Sequence, residues 1–200
     1  DVCITVSKSL GKIYEQKYKK PFIIIRYLPY PTLPFNKVMN INNIIWYQGV
    51  LNVGRGLEHM IEAMIHLPEY RFYLAGDGDI SSKLKKLVVD LNLTNRVLFL
   101  GKLSPNQLNI ENQKAWIGIN LLDHTSLNYY YSLANKTFDY IQAEIPAIHM
   151  SFPEYEDAMT DFTFYNNAMS GYAYTEHSLP LILSGEWFEN NSENVVVGAD

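Results

Sequence analysis

Residues 44–57 read Ile44-Ile45-Trp46-Tyr47-Gln48-Gly49-Val50-Leu51-Asn52-Val53-Gly54-Arg55-Gly56-Leu57, and the change of period inside this stretch decides the fold. Ile44 to Gln48 is a short run of β-branched and aromatic residues, which predicts a strand. Three glycines follow, and then Leu57, Met60, Ile61, Met64 and Ile65 occupy the i, i+3, i+4, i+7, i+8 positions of one buried helix face. A strand, a glycine-rich turn and an amphipathic helix in that order make the first half of a βαβ unit.

The same alternation continues on both sides. Downstream, the helix ends at Leu67-Pro68, Arg71 to Ala75 reads as a strand, Gly76-Asp77-Gly78-Asp79 as a turn, and Leu84, Leu87, Val88 and Leu91 as the inner face of a second helix. Arg96 to Leu100, closed by Gly101, is the next strand. Ser104-Pro105 then offers a cap with proline at the first helical position. Trp116 to Leu122 resumes the sheet, residues 123–133 form a polar, tyrosine-rich loop, Asn135 to about Glu144 is a helix and Ala147 to Met150 a strand. Upstream, Val2 to Val6 and Phe22 to Arg26 read as strands around a helix capped by Ser7 or Ser9 and running to about Tyr18. Pro29, Pro31 and Pro34 then make a stiff extended connector and a domain boundary. The expectation is an α/β fold, a Rossmann-like parallel sheet with helices on both faces.

Composition sets limits on function. The 200 residues are 48% hydrophobic and 18% charged, a globular balance. Cys3 is the single cysteine, which excludes an intrachain disulfide framework and a multi-cysteine zinc site. The apolar runs are far shorter than the roughly 20 residues that cross a bilayer, so a soluble segment is expected. The net charge of −5 is unevenly spread: residues 1–150 hold all 16 Lys and Arg against 12 acids, and residues 151–200 hold nine acids and no Lys or Arg. Lys12, Lys17, Lys19 and Lys20 read as one solvated helix face, so no nucleic-acid partner is expected. The pattern fades beyond Tyr155, and residues 154–200 form a tail to which no function is assigned.

In an open parallel sheet, ligands collect outside the carboxyl ends of the strands. Three loops there carry suggestive residues. In the loop 47–56, glycines let backbone approach an anion and Arg55 offers a forked pair of hydrogen bonds to phosphate; a flexible turn with a solvent-facing Arg is the alternative. Gly76-Asp77-Gly78-Asp79 has two acids without a third ligand, so no metal is assigned, and a tight turn with Asp79 or Ser81 capping the next helix is expected. In the third loop, Lys136 at a helix start would attract phosphate and Asp139, one turn later, would accept from ribose hydroxyls; the alternative is an i, i+3 pair on a surface helix. His124, after Leu122, is the one histidine placed where a substrate could lie, and no metal-binding histidine pair or nucleophile elbow occurs.

Tyr47-Gln48-Gly49, Gly54-Arg55-Gly56-Leu57, Ala75-Gly76-Asp77-Gly78, Arg96-Val97-Leu98-Phe99-Leu100-Gly101 and Asn135-Lys136-Thr137-Phe138-Asp139-Tyr140 through Ile145-Pro146 occur in this order. Over about residues 1–153 the sequence resembles GT-B glycosyltransferases, in particular the family-four group of retaining enzymes that use nucleotide diphosphate sugars. The resemblance implies that residues 1–28 end a preceding acceptor-side domain, 29–40 connect, and 41–153 form the donor-binding domain, so that the chain is an incomplete fragment not expected to catalyse alone. It further implies that Gly49, Arg55 and Lys136 bind the donor diphosphate and that Gly101, Lys102 and Asp139 bind the nucleoside. Asp139 matches the second of two family glutamates. The first falls on Tyr131, a departure that leaves Tyr131 and Ser132 as candidate sugar contacts and the catalytic residue unassigned. The implied reaction is transfer without metal or cofactor from a UDP or GDP sugar to a glycan or lipid-linked acceptor, in cell-surface polysaccharide synthesis. The implied setting is cytoplasmic, at the inner face of the membrane if the missing domain associates with it. A non-catalytic nucleotide-binding domain and a nucleotide-sugar epimerase of the same fold are the alternatives.

Overall fold

The computed structural model describes residues 2–29 and 43–158. The core is a five-stranded, all-parallel sheet made of β3 (Ile44–Gln48), β4 (Arg71–Ala75), β5 (Val97–Gly101), β6 (Ile117–Asn120) and β7 (Ala147–His149), in the order β5-β4-β3-β6-β7. The chain first steps outward from β3 to β4 and β5, then returns to the far side of β3 for β6 and β7. The reversal lies between β3 and β6, where an open α/β sheet has its ligand crevice.

β3 is central and buried along its whole length, which explains why it reads as continuous apolar sequence rather than an alternation. Its side chains still divide between two cores. Ile45 and Tyr47 join Leu57, Met60, Ile61, Phe72, Leu74 and Leu84 on one face, under α2 (Leu57–Ala63) and α3 (Ser81–Asp90). Trp46 joins Tyr140, Ala143 and Ile145 on the other, under α4 (Pro105–Lys114) and α6 (Asn135–Gln142). Helices therefore cover both faces, as expected. The buried aromatic and aliphatic side chains contribute roughly 1.5–3 kcal/mol each.

Residues 2–29 form a separate strand–helix–strand: β1 (Cys3–Thr5) and β2 (Phe22–Ile24) pair in parallel around α1 (Lys8–Tyr18). The Ser7 hydroxyl accepts from Leu10 N at 3.1 Å, so Ser7 rather than Ser9 is the cap. Glu154, only 2% exposed, adds a carboxylate to the same helix start and accepts from Lys8 N (3.1 Å) and Ser9 N (2.6 Å). Glu154 belongs to α7 (Pro153–Ala158), a helix that the sequence pattern did not predict.

Other differences are local. The helix expected from Leu57 to Leu67 breaks after Ala63 into a 3₁₀ turn, Met64–His66, just before Pro68. The 123–133 loop holds a one-turn helix, α5 (Leu127–Tyr130). The expected cap of α3 is corrected: Ile80 occupies the cap position without a side-chain bond, because the Ser81 hydroxyl donates to Asp77 (2.7 Å) and accepts from Gly78 N (2.9 Å), closing the turn instead. At α4 the expectation holds, with Ser104 and Gln107 forming a reciprocal capping box. Most of the proline connector and the tail beyond residue 158 lie outside the described residues.

Candidate functional site

The carboxyl ends of β3, β4 and β5 stop at glycines that lie side by side. Gly49 N donates to Ala75 O (2.9 Å) and Gly76 N to Gly101 O (2.7 Å). At Gly76, with φ +140°, an added Cβ would lie 1.8 Å from Gly49 O, so no side chain fits between the two loops. At Gly101 the backbone also has positive φ (+70°), but nothing lies within 4 Å of a would-be Cβ. Gly101 thus leaves its backbone open to a cleft of about 320 Å³ lined by Gly76, Asp77, Ser81, Lys85, Gly101 and Lys102 among others. Two of the residues assigned to the nucleoside, Gly101 and Lys102, therefore share one cleft. The Ser81 hydroxyl, then the Gly78 N–H, holds the Asp77 carboxyl below the usual value. Among the described residues no three His, Cys, Asp or Glu side chains gather as a metal set.

At the β3–β6 crevice the three residues assigned to the diphosphate come together. Lys136 is on the first turn of α6 but is not a surface residue: it is 6% exposed, and its Nζ lies 3.6 Å from the centroid of the Tyr47 ring. Gly49 is against it, with a would-be Cβ 3.4 Å from the same Nζ. Arg55 approaches from the loop after β3, its Cζ stacked 4.8 Å from the Tyr129 ring centroid. Lys136 Nζ and Arg55 Nε are buried without a hydrogen-bond partner. Burial, then the charge of Arg55, pushes the Lys136 ammonium well below the usual lysine value. Tyr47 is pushed up to about 12, mainly by burial, so its ring stays neutral beneath the cation, and its hydroxyl donates to Val50 O at 2.8 Å. The i, i+3 surface pair weighed for Lys136 and Asp139 does not form, because Lys136 is turned inward toward β3.

Asp139 is half-buried, and burial raises its carboxyl against the opposing bonds from Tyr27 and Gln48. Its Oδ2 accepts from Gln48 Nε2 at 2.5 Å and its Oδ1 from the Tyr27 hydroxyl at 3.2 Å. Tyr131 packs edge-on against Tyr130, and the Ser132 hydroxyl donates to Tyr129 O and also lies within hydrogen-bond reach of the Tyr155 hydroxyl. The loop residue that reaches Arg55 is Tyr129. His124 is exposed, beyond a turn in which Asp123 accepts from Thr125 N and Oγ1.

Below Lys136 lies a polar layer that sequence reading missed. Asn120 Nδ2 donates to the Tyr155 hydroxyl (2.6 Å), which also accepts from Ala134 N (3.1 Å), the backbone just before α6. His149 packs on the Tyr155 ring, and burial, with Lys136 adding to it, lowers its pKa to about 4, so it is neutral near pH 7. Tyr27, Tyr129 and this layer carry no local motif, and Gln48, although inside Tyr47-Gln48-Gly49, was given no role. Each acts through a partner that is distant in sequence.

Residues 35–121 match the sequence model of the family described as Glycosyl transferases group 1. This part of the chain is similar in sequence to glycosyltransferase group 1 domains, and the sheet has the GT-B fold. Solved structures share the architecture of this GT-B domain. Anabaena HepE in complex with UDP and glucose superposes with a TM-score of 0.68 at 16% identity, covering 92% of this chain and 53% of that one. The pneumococcal O-GlcNAc transferase GtfA in complex with UDP and GlcNAc gives 0.64 at 14%, covering 91% and 36%. WaaG, a glycosyltransferase of lipopolysaccharide biosynthesis, gives 0.64 at 15%, covering 90% and 53%. At these identities the likeness is one of fold, and the chain spans about a third to a half of each neighbour's length. No curated protein matches the sequence significantly.

Proposed function

We propose that this domain is the donor-binding half of a glycosyltransferase that moves a sugar from a nucleotide diphosphate sugar to an acceptor hydroxyl. One observation carries the reading. Lys136, buried and without a hydrogen-bond partner, faces Gly49 and stands beside Arg55, a pair of cations that no carboxylate among the described residues neutralises. Holding two cations so close costs several kcal/mol of desolvation. A diphosphate carries the charge and the acceptor oxygens that would offset this cost.

In the transfer, the bond between the sugar anomeric carbon and the diphosphate oxygen breaks, the acceptor oxygen bonds that carbon, and the hydroxyl proton is released. Negative charge grows on the leaving diphosphate, and Arg55 and Lys136 are fixed where they would stabilise it in a partly dry crevice. With these cations in place the reaction is metal-independent, and by the family resemblance it retains configuration. Gly101 and Lys102 lie along the nucleoside, and Asp139 accepts from the ribose. UDP is favoured over GDP because HepE and GtfA were solved with UDP. The acceptor is a glycan or a lipid-linked glycan, consistent with the lipopolysaccharide role of WaaG. No helix among the described residues is long and apolar enough to cross a membrane. We place the protein in the cytoplasm, at the inner membrane face through a further acceptor-side domain that residues 1–28 complete.

Arg55→Ala in the full-length protein should lower kcat about 10²- to 10³-fold, the loss seen when one fixed donor to a developing negative charge is removed. Steady-state transfer with UDP-sugars measures it, and wild-type turnover in the variant would reject the role.

A further inference from the structure

Among the described residues, polar contacts of two opposite characters link the unit 2–29 to the domain 43–158. At one, the carboxylate of Glu154 is buried against the first amides of α1. At the other, the hydroxyl of Tyr27, a residue 40% exposed, reaches Asp139 Oδ1 in a solvent-accessible bond. The first is shielded from water, whereas the second competes with water and with any other donor that enters the crevice.

The geometry at Asp139 is fixed from behind. Trp46 Nε1, which can only donate, bonds Gln48 Oε1 at 3.3 Å, and this sets the orientation of the Gln48 amide. Gln48 Nε2 must then point at Asp139, where it holds Oδ2 at 2.5 Å. One carboxylate oxygen is thereby committed to the domain, and the other is turned to the crevice, where Tyr27 holds it.

Resting on the nucleotide-binding reading above, we propose that Tyr27 is a displaceable clasp: its phenol bonds the Asp139 oxygen that the ribose diol of the donor takes, so nucleotide must release Tyr27 to bind. Donor arrival then undoes the exposed contact between the two units while Glu154 keeps α1 seated, and it reaches the 2–29 unit without any direct contact of the nucleotide with α1. The phenol contributes one hydrogen bond to Asp139 Oδ1, and a ribose diol offers two donors. Exchange of one for the other lets nucleotide win at the cost of part of its affinity.

The test titrates UDP and GDP, and their 2′,3′-dideoxy counterparts, into the full-length wild-type protein and Tyr27→Phe by calorimetry. The nucleotide that binds wild type is expected to bind Tyr27→Phe about 3- to 10-fold tighter, the value of one competing hydrogen bond, with no gain for its dideoxy form. Equal or weaker binding of the ribonucleotide by Tyr27→Phe overturns the clasp. An equal gain for both forms also overturns it, since the effect would not pass through the ribose hydroxyls. Absence of any nucleotide binding to wild type would sink the functional reading itself, and the clasp with it.

Discussion

Lys136→Met keeps the length and volume of the side chain and removes a charge that the fold does not pair. The ammonium is buried beside Arg55 and lacks a hydrogen-bond partner. Its desolvation costs several kcal/mol, and contact with the Tyr47 ring returns about 2 kcal/mol. The Met variant should therefore be more stable than wild type without nucleotide, by about 1–3 kcal/mol, or about 3–8 °C in Tm for a domain of this size. The sign of the pH dependence follows. The native state holds the Lys136 proton less tightly than the unfolded chain, so the penalty is complete below the native pKa. It shrinks as pH rises toward the unfolded value near 10.4. The stabilisation by Met should accordingly be largest at acidic pH and fade as pH rises. UDP should reverse the ranking. At 1,000 times its Kd it stabilises wild type by about 4.1 kcal/mol, and it should add almost nothing to the variant. Thermal melts of both full-length proteins, with and without UDP, read all four values. A variant that melts below wild type in the absence of nucleotide would show that Lys136 has a stabilising partner and would refute the reasoning.

Three further outcomes follow from the geometry. Gly76→Ala should cost about 3 kcal/mol or more, because its Cβ meets Gly49 O, whereas Gly101→Ala should cost only about 1–2 kcal/mol for its left-handed backbone; urea midpoints compare the two. Glu154→Gln should weaken the start of α1 by about 1 kcal/mol, seen as roughly fivefold faster hydrogen exchange at the amides of Lys8 and Ser9. Binding of a UDP-sugar should weaken as pH rises toward the unfolded lysine value, with proton uptake wherever the unliganded Lys136 has lost its charge, since the diphosphate restores the charge that burial opposes. Calorimetry in buffers of different ionisation enthalpy measures the uptake, and Lys136→Met should abolish it.

The sheet was legible because its signals are local. The apolar run Ile44–Gln48, the helical spacing from Leu57 to Met64 and the Ser104-Pro105 cap each state their structure within one or two turns of chain. Convergence of Gly49, Arg55 and Lys136 was also expected, since all three flank the ends of neighbouring strands. The depth of Lys136 was not legible. A Lys three residues before an Asp on a helix has the same spacing whether it faces water or Tyr47, and only the packing of α6 on the sheet decides. Tyr27, 112 positions from Asp139, had no signal either. Nor had α7, whose residues Pro153-Glu154-Tyr155-Glu156 look polar. Tyr155 and Glu154 are buried there because Asn120, Ala134 and the start of α1 give them partners. The expected cap of α3 failed for a related reason: Ser81 had a nearer partner in Asp77 than in the helix start.

The most direct test of the account is a crystal structure of the full-length protein with a UDP-sugar bound. Diphosphate oxygens within hydrogen-bond distance of both the Arg55 guanidinium and Lys136 Nζ, over Gly49, are predicted. A nucleotide bound elsewhere, with Lys136 Nζ still over the Tyr47 ring and without a hydrogen-bond partner, would contradict it.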